Sequence, residues 1–215
     1  MDTSATSGVD PIDWTALIEQ AFFARLREVL APDDVEQQVR SRLAELDEQL
    51  RHLVHNPMDA ANVRFTSLAV AAYDVLEPAH GPAGATAVVE ESLNSPFRDV
   101  ILAGTASLLD DADDPFAALV AAGKERESTY FGPSFTFERP VDDRHTYVLD
   151  IVRCLFHEGL VAAGRTQLQA VMCRFDLNWV DAIDPDRHHV RFVRPVTYAT
   201  GDTCRMCFLR QESGG

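Results

Sequence analysis

Three cysteines in the last third of the chain each stand beside a polar residue that packing does not account for: Cys154 with Glu158, Cys173 with Asp176, and Cys204 with the hairpin arginines Arg191 and Arg194. Thiols, carboxylates and a guanidinium drawn from separate segments are the parts of a site that attacks carbon, moves protons and holds an anion. A helical wheel over residues 149–163 sets Cys154 and Glu158 four apart on one border of the helix. A carboxylate alone would oppose ionisation of that thiol, so nucleophilic use of Cys154 calls for a cation such as Arg153 or His157.

A second helix, expected from about Thr166 to Ile183, is apolar on nearly every side except an arc holding Arg174, Asn178 and Asp181. Asp176 falls outside that arc, among Met172, Cys173, Val180 and Ile183, and so should point inward. A buried carboxylate needs a partner, because unpaired burial costs several kcal/mol. Strand alternation supplies one: Val190, Phe192 and Arg194 share a face, and across the hairpin so do Cys204, Met206 and Phe208, leaving Arg191 and Cys207 on the other side. Inward Arg194, Asp176, Cys173 and Cys204 are therefore expected to meet. A buried salt bridge tying sheet to helix is the structural alternative.

Other chemistries are disfavoured. Cys204 and Cys207 alternate to opposite faces of a strand and form no zinc knuckle, His188 and His189 point apart if they are on a strand, and HExxH is absent. The best version of a metal site would use Cys154, Cys173, Cys204 and Asp176, but no metal or cofactor is expected. There is no GxSxG elbow, no GxxxxGK[ST] loop and no GxGxxG after a strand. Nineteen basic against 34 acidic residues give a formal charge of -15, which repels nucleic acid and anionic membrane surfaces. The run Asp110, Asp111, Asp113, Asp114 lacks the alternation of a calcium loop and reads as a solvated helix end before Pro115. With no apolar segment long enough to span a bilayer and no leader pattern, the expectation is a cytoplasmic protein with reduced thiols.

The elements that must position these residues are of two kinds. After a loose arm over 1–12, a helical region over 13–129 shows apolar stripes at Trp14 to Leu30 and at Val35, Val39, Leu43, Leu46, Leu50 and Leu53. Further helices are expected from Asp59 to Leu76, over 82–93 and over 96–109, and their apolar faces suggest a homodimer. Character changes near Tyr130. Phe135 to Glu138 and Thr146 to Ile151 read as strands with a turn over Pro140 to His145, and Val190 to Phe208 as a hairpin turning around Gly201. The fold class is α+β, a helical bundle packed with a small antiparallel sheet and inserted helices, in one compact domain with the site in residues 130–211.

Val152, Arg153, Cys154, Leu155, Phe156, His157, Glu158 and Gly164, then Cys173 and Asp176, then Phe192, Arg194, Thr197, Gly201 and Cys204, together resemble the L-2-amino-thiazoline-4-carboxylic acid hydrolase family over residues 147–208. The segment around Arg64, Ala72 and Tyr73 looks compatible with the family's N-terminal part. The resemblance implies hydrolytic opening of a small cyclic amidine or amide that carries a carboxylate. Cys173 or Cys154 would attack carbon or assist a water, Asp176 or Glu158 would move protons, Arg194 and Thr197 would hold the substrate, and Cys204 would line the pocket. The chain departs from the family pattern at Arg205, where an acidic residue commonly stands, and at Pro195 and Val196. Two alternatives remain: a diverged natural-product tailoring enzyme that uses the same pocket for cyclisation, elimination or thiol chemistry, and a non-catalytic ligand-binding or scaffold protein.

Overall fold

The computed structural model describes residues 14–30 and 34–211. The expected N-terminal arm, the Asp13 cap and the restart at Pro32 and Asp33 lie outside the described residues. Helix α1 is Trp14–Val29 and α2 is Val35–Leu50, where Val39, Leu43, Leu46 and Leu50 recur at intervals of four and three and are fully buried. That spacing is the narrow apolar stripe a helix needs to lie along another helix.

The partner is α3, Pro57–Asp110. Asn56 Oδ1 accepts the Asp59 N–H and Pro57 occupies the first turn, where its missing N–H costs nothing. From Val63 to Tyr73 the helix is buried nearly all round, and α1, α2, α5 and α6 pack against it. It breaks at Gly81, whose φ of 68° and ψ of 169° suit only glycine, with Pro82 restarting the second half. The expected interruption between 93 and 96 does not occur: the helix runs through Pro96 to Asp110.

Helix α4, Pro115–Arg126, is capped by Asp114 and runs on through a wider turn over Glu127–Phe131. The sheet follows: β1 is Thr136–Asp142, β2 Thr146–Arg153, β3 Val190–Val196 and β4 Cys204–Arg210. All neighbours are antiparallel in the order β1-β2-β4-β3. Its inner face carries Tyr147, Leu149 and Ile151 opposite Phe208, Met206 and Cys204, the alternation read from the sequence. Between β2 and β3 run α5, Leu155–Ala162, α6, Gln169–Phe175, and the short α7, Pro185–His188. A Cβ at Gly159 would stand 3.1 Å from Thr66 Cγ2, so the absence of a side chain there lets α5 lie directly on α3. The buried apolar residues from Phe22 to Phe208 form one continuous core. No described helix is long and apolar enough to cross a membrane.

Two local expectations need correction. Residues 149–153 are strand rather than helix, because β2 extends to Arg153 and Cys154 is the residue before α5. The helix expected over 166–183 is broken: α6 ends at Phe175, Asp176 caps it, and a short turn over Val180–Ala182 follows. Asn178 therefore leaves the exposed arc and is buried, its Nδ2 donating to Asn94 O at 3.3 Å. His188 ends α7, ahead of the strand that begins at Val190 as expected. The Asp184 N–H donates to its Nδ1, which leaves Nε2 as the donor to Asp110 Oδ1 at 2.9 Å. Asp110 thus ties α3 to α7, and Asp114 pairs with Arg210 of β4, so the acidic run is in part a structural clasp.

Candidate active site

The reactive side chains come from separate segments, and the fold brings five of them to one end of the sheet. Cys154 sits at the junction of β2 and α5, Cys173 and Asp176 at the end of α6, Arg194 on β3 and Cys204 at the start of β4. A register shift between Val193 and Val196 bulges β3 at Arg194 and Pro195, and proline, having no N–H to give the ladder, belongs at such a place on an edge strand.

Arg194 is the hub. Its Nε and Nη2 donate to Cys204 Sγ at 3.2 and 3.0 Å, its Nη1 donates to Cys173 O at 3.0 Å, and Nη2 stands 3.4 Å from Asp176 Oδ2. The Arg194 side chain is 7% exposed. Burial works to lower its pKa, but Asp176 foremost and the two sulfurs outweigh burial and raise it. Asp176 is shared with a second guanidinium, Arg126 Nη2 at 3.2 Å from Oδ1, and its backbone carbonyl accepts the Trp179 indole N–H at 2.8 Å. The cluster therefore holds two cations against one carboxylate.

The thiols differ. Burial pushes Cys154 up to about 12 against a smaller opposing influence from the His157 backbone N–H. Burial likewise pushes Cys204 up to about 11, although Arg194 favours its thiolate. Both are neutral at physiological pH. Cys173 is partly exposed and accepts from Gln169 Nε2 at 3.4 Å, while Gln169 Oε1 lies 2.8 Å from His157 Nδ1. The His157 ring stacks on Tyr198 at 4.6 Å, and burial raises the Tyr198 hydroxyl to about 12. Tyr130, raised by burial of its hydroxyl, is in the electrostatic reach of Cys154 and Asp176. Cys173 and Thr197 edge an open polar cleft of about 760 Å³ that Asn94 and Asn178 also line.

Glu158 keeps its helical i,i+4 relation to Cys154, its N–H donating to Cys154 O at 3.0 Å, but its carboxylate is taken by Arg153. Both of its oxygens take the Arg153 fork at 2.7 and 2.8 Å, on a more exposed flank than the thiols. Thr197 Oγ1 accepts the Ala199 N–H and shapes the turn after β3. Cys207 faces away from the cluster, on the side of the sheet where Arg205 forms a two-pronged pair with Asp150 at 2.6 Å. Arg205 is thus a cross-strand partner of Asp150, outside the cluster. Among the described residues no group of three or more His, Cys, Asp or Glu side chains is placed to hold a metal ion.

Sequence reasoning missed Arg126, Tyr130, Gln169 and Tyr198. Arg126 ends an otherwise ordinary amphipathic helix, and Gln169 and Tyr198 acquire their roles only when α6 and the β3–β4 turn close on His157. No periodicity distinguishes such residues from surface polar positions.

Fold and site together define an α+β protein with a buried guanidinium–carboxylate pair surrounded by three thiols, one of them open to a cleft. The chain belongs to the L-2-amino-thiazoline-4-carboxylic acid hydrolase family, whose model matches residues 61–208. That range covers α3 through most of β4, the central helix included. Neither the curated proteins nor the solved structures return a match.

Proposed function

We propose that the protein is a hydrolase that opens a C–N bond of a small cyclic amidine or amide bearing a carboxylate, with Cys173 as the nucleophile. The observation that carries this reading is the placement of Cys173. It is the cluster thiol at the edge of the polar cleft, next to a buried Arg194–Asp176 pair, whereas Cys154 and Cys204 are enclosed.

Cys173 Sγ bonds to the electrophilic carbon, the π pair moves to the attached heteroatom, and the thiol proton is passed to the leaving nitrogen. The C–N bond breaks, water adds to the thioester-like intermediate, and the C–S bond breaks to return the thiol. Asp176, held in the cluster by two guanidiniums, is the carboxylate placed to relay protons, in preference to Glu158, which Arg153 occupies. Arg194 stands behind the cleft wall, donating to Cys173 O, and its positive field next to the nucleophile favours a substrate carboxylate and the negative charge that builds on the heteroatom. Thr197 offers one polar contact at the cleft edge.

The test is hydrolysis of 2-aminothiazoline-4-carboxylate by the purified protein, with Cys173→Ala, Cys154→Ala, Asp176→Asn and Cys207→Ala beside it. Turnover should fall at least ~100-fold in Cys173→Ala, the scale of loss for a removed catalytic group, and persist in Cys207→Ala. Full activity in Cys173→Ala would refute the nucleophile, and turnover lost only in Cys154→Ala would move that role to the junction of β2 and α5.

A further inference from the structure

A second opening reaches the same cluster from the opposite chemical direction. The latter half of α3, α4, the loop after α6 and β4 enclose an apolar groove of about 620 Å³ lined by Phe97, Ile101, Leu119, Phe175, Trp179 and Phe208. Val100 and Leu108, 70% and 41% exposed, stand on its α3 wall. Such a volume falls within the usual range of small-molecule sites. Large side chains do not ordinarily stay this exposed together without something to cover them.

Arg126 is the charged residue that lines the groove, and Tyr130 lies beside it with the guanidinium 5.3 Å from its ring centre. Among the described residues Arg126 has one carboxylate partner, reached through a single nitrogen at 3.2 Å, and that carboxylate is also claimed by Arg194. Arg126 is 37% exposed where Arg194 is 7% exposed, so the surplus positive charge of the cluster is presented at the groove. In a chain of formal charge -15, a cation at the end of an apolar groove selects an anion with an apolar body. The same charge disfavours a second copy as the occupant.

We propose that this groove is a binding site for a monocarboxylate bearing an apolar chain or ring, its carboxylate paired with Arg126 and its body lying between α3 and α4. The site does not depend on the hydrolase reading. Its occupant competes with Asp176 for Arg126, so binding there is felt in the cluster that holds Cys173 and Arg194.

Calorimetry with decanoate, kept below micelle formation, tests the site directly, with decan-1-ol and decylamine as the uncharged and cationic controls. Decanoate should bind at least about tenfold more tightly than either control, the difference expected of one charge-assisted pair. Arg126→Gln should remove that preference and leave the alcohol's weak binding alone. Gly104→Trp should block all three: Gly104 lines the groove, and a Cβ there meets nothing within 4 Å, so a large side chain is added at the groove wall without a clash at its base. Equal binding of acid and amine, or unchanged decanoate binding in Gly104→Trp, would overturn the proposal. A wild-type dimer that Gly104→Trp disperses in sedimentation would overturn it too, making a second copy the occupant. Decanoate binding without any amidine hydrolysis would uphold this site and remove the hydrolase reading, and hydrolysis without decanoate binding would do the reverse.

Discussion

The cluster around Arg194 shows how burial decides what a thiol can do. A helix start ordinarily favours a thiolate, and Cys154 occupies such a position before α5, but loss of solvent outweighs it and the thiol is pushed up to about 12. Cys204 has a guanidinium at 3.0 Å and is still raised to about 11. Both values lie above the ordinary 9.0, so in alkaline solution the unfolded chain releases protons that the folded protein retains. Stability is therefore complete below about pH 9 and declines as pH rises toward the folded values, by up to roughly 1.4 kcal/mol per pH unit for each thiol. Urea unfolding between about pH 8 and pH 10 should show this decline, and Cys154→Ala should reduce its slope. A slope unchanged in that variant would mean that Cys154 ionises alike in both states. The inward set of Arg194, Asp176 and Cys204 was legible because a buried aspartate demands a cation and strand alternation offered one. The Arg153–Glu158 pair was not, since a helical wheel begun at residue 149 treated Arg153 as helical, whereas it ends β2 and reaches forward to Glu158.

Among the elements, the apolar stripes and strand alternation told helix from strand over long stretches, and the errors gathered at short ones. The chain over 166–183 has the apolar content of one helix, yet the tertiary contacts of Asp176, Asn178 and Trp179 end α6 at the Asp176 cap and leave only a short turn over Val180–Ala182 beyond it. At Pro96 the reverse happened: a residue that usually ends a helix sits inside α3, where packing outweighs the lost hydrogen bond. The true break is at Gly81, in a backbone region that residues with a Cβ enter only under strain. A Cβ there would touch nothing within 4 Å, so the penalty of Gly81→Ala is conformational alone. The variant should lose ~1–3 kcal/mol in chemical denaturation while its site geometry and any turnover persist. A neutral or stabilising effect would show that the two halves of α3 can run on as one straight helix.

For the whole molecule, the family match begins inside α3, at residue 61, although the thiols and Arg194 of the cluster lie beyond residue 150. The structure supplies a reason for that span: α5 and α6 rest on the buried stretch of α3, with Gly159 against Thr66, so the cluster inherits its geometry from the central helix. That helix in turn is covered by α2, outside the match, through Val39, Leu43, Leu46 and Leu50, all fully buried. Four such side chains are worth roughly 1.5–3 kcal/mol each, a sum comparable with the ~5–15 kcal/mol that holds a typical domain together. Arg42 and Arg165 converge on Asp74 of α3 from α2 and from the end of α5, so the same helix face is also clamped electrostatically from both sides. A chain starting at residue 55 should therefore fail to unfold cooperatively in urea and should bind hydrophobic dye, despite retaining every residue of the family match. A sharp transition in that fragment, with the near-ultraviolet dichroism of the full chain, would mean that α3 through β4 stand alone and that α1 and α2 serve the surface instead of the core.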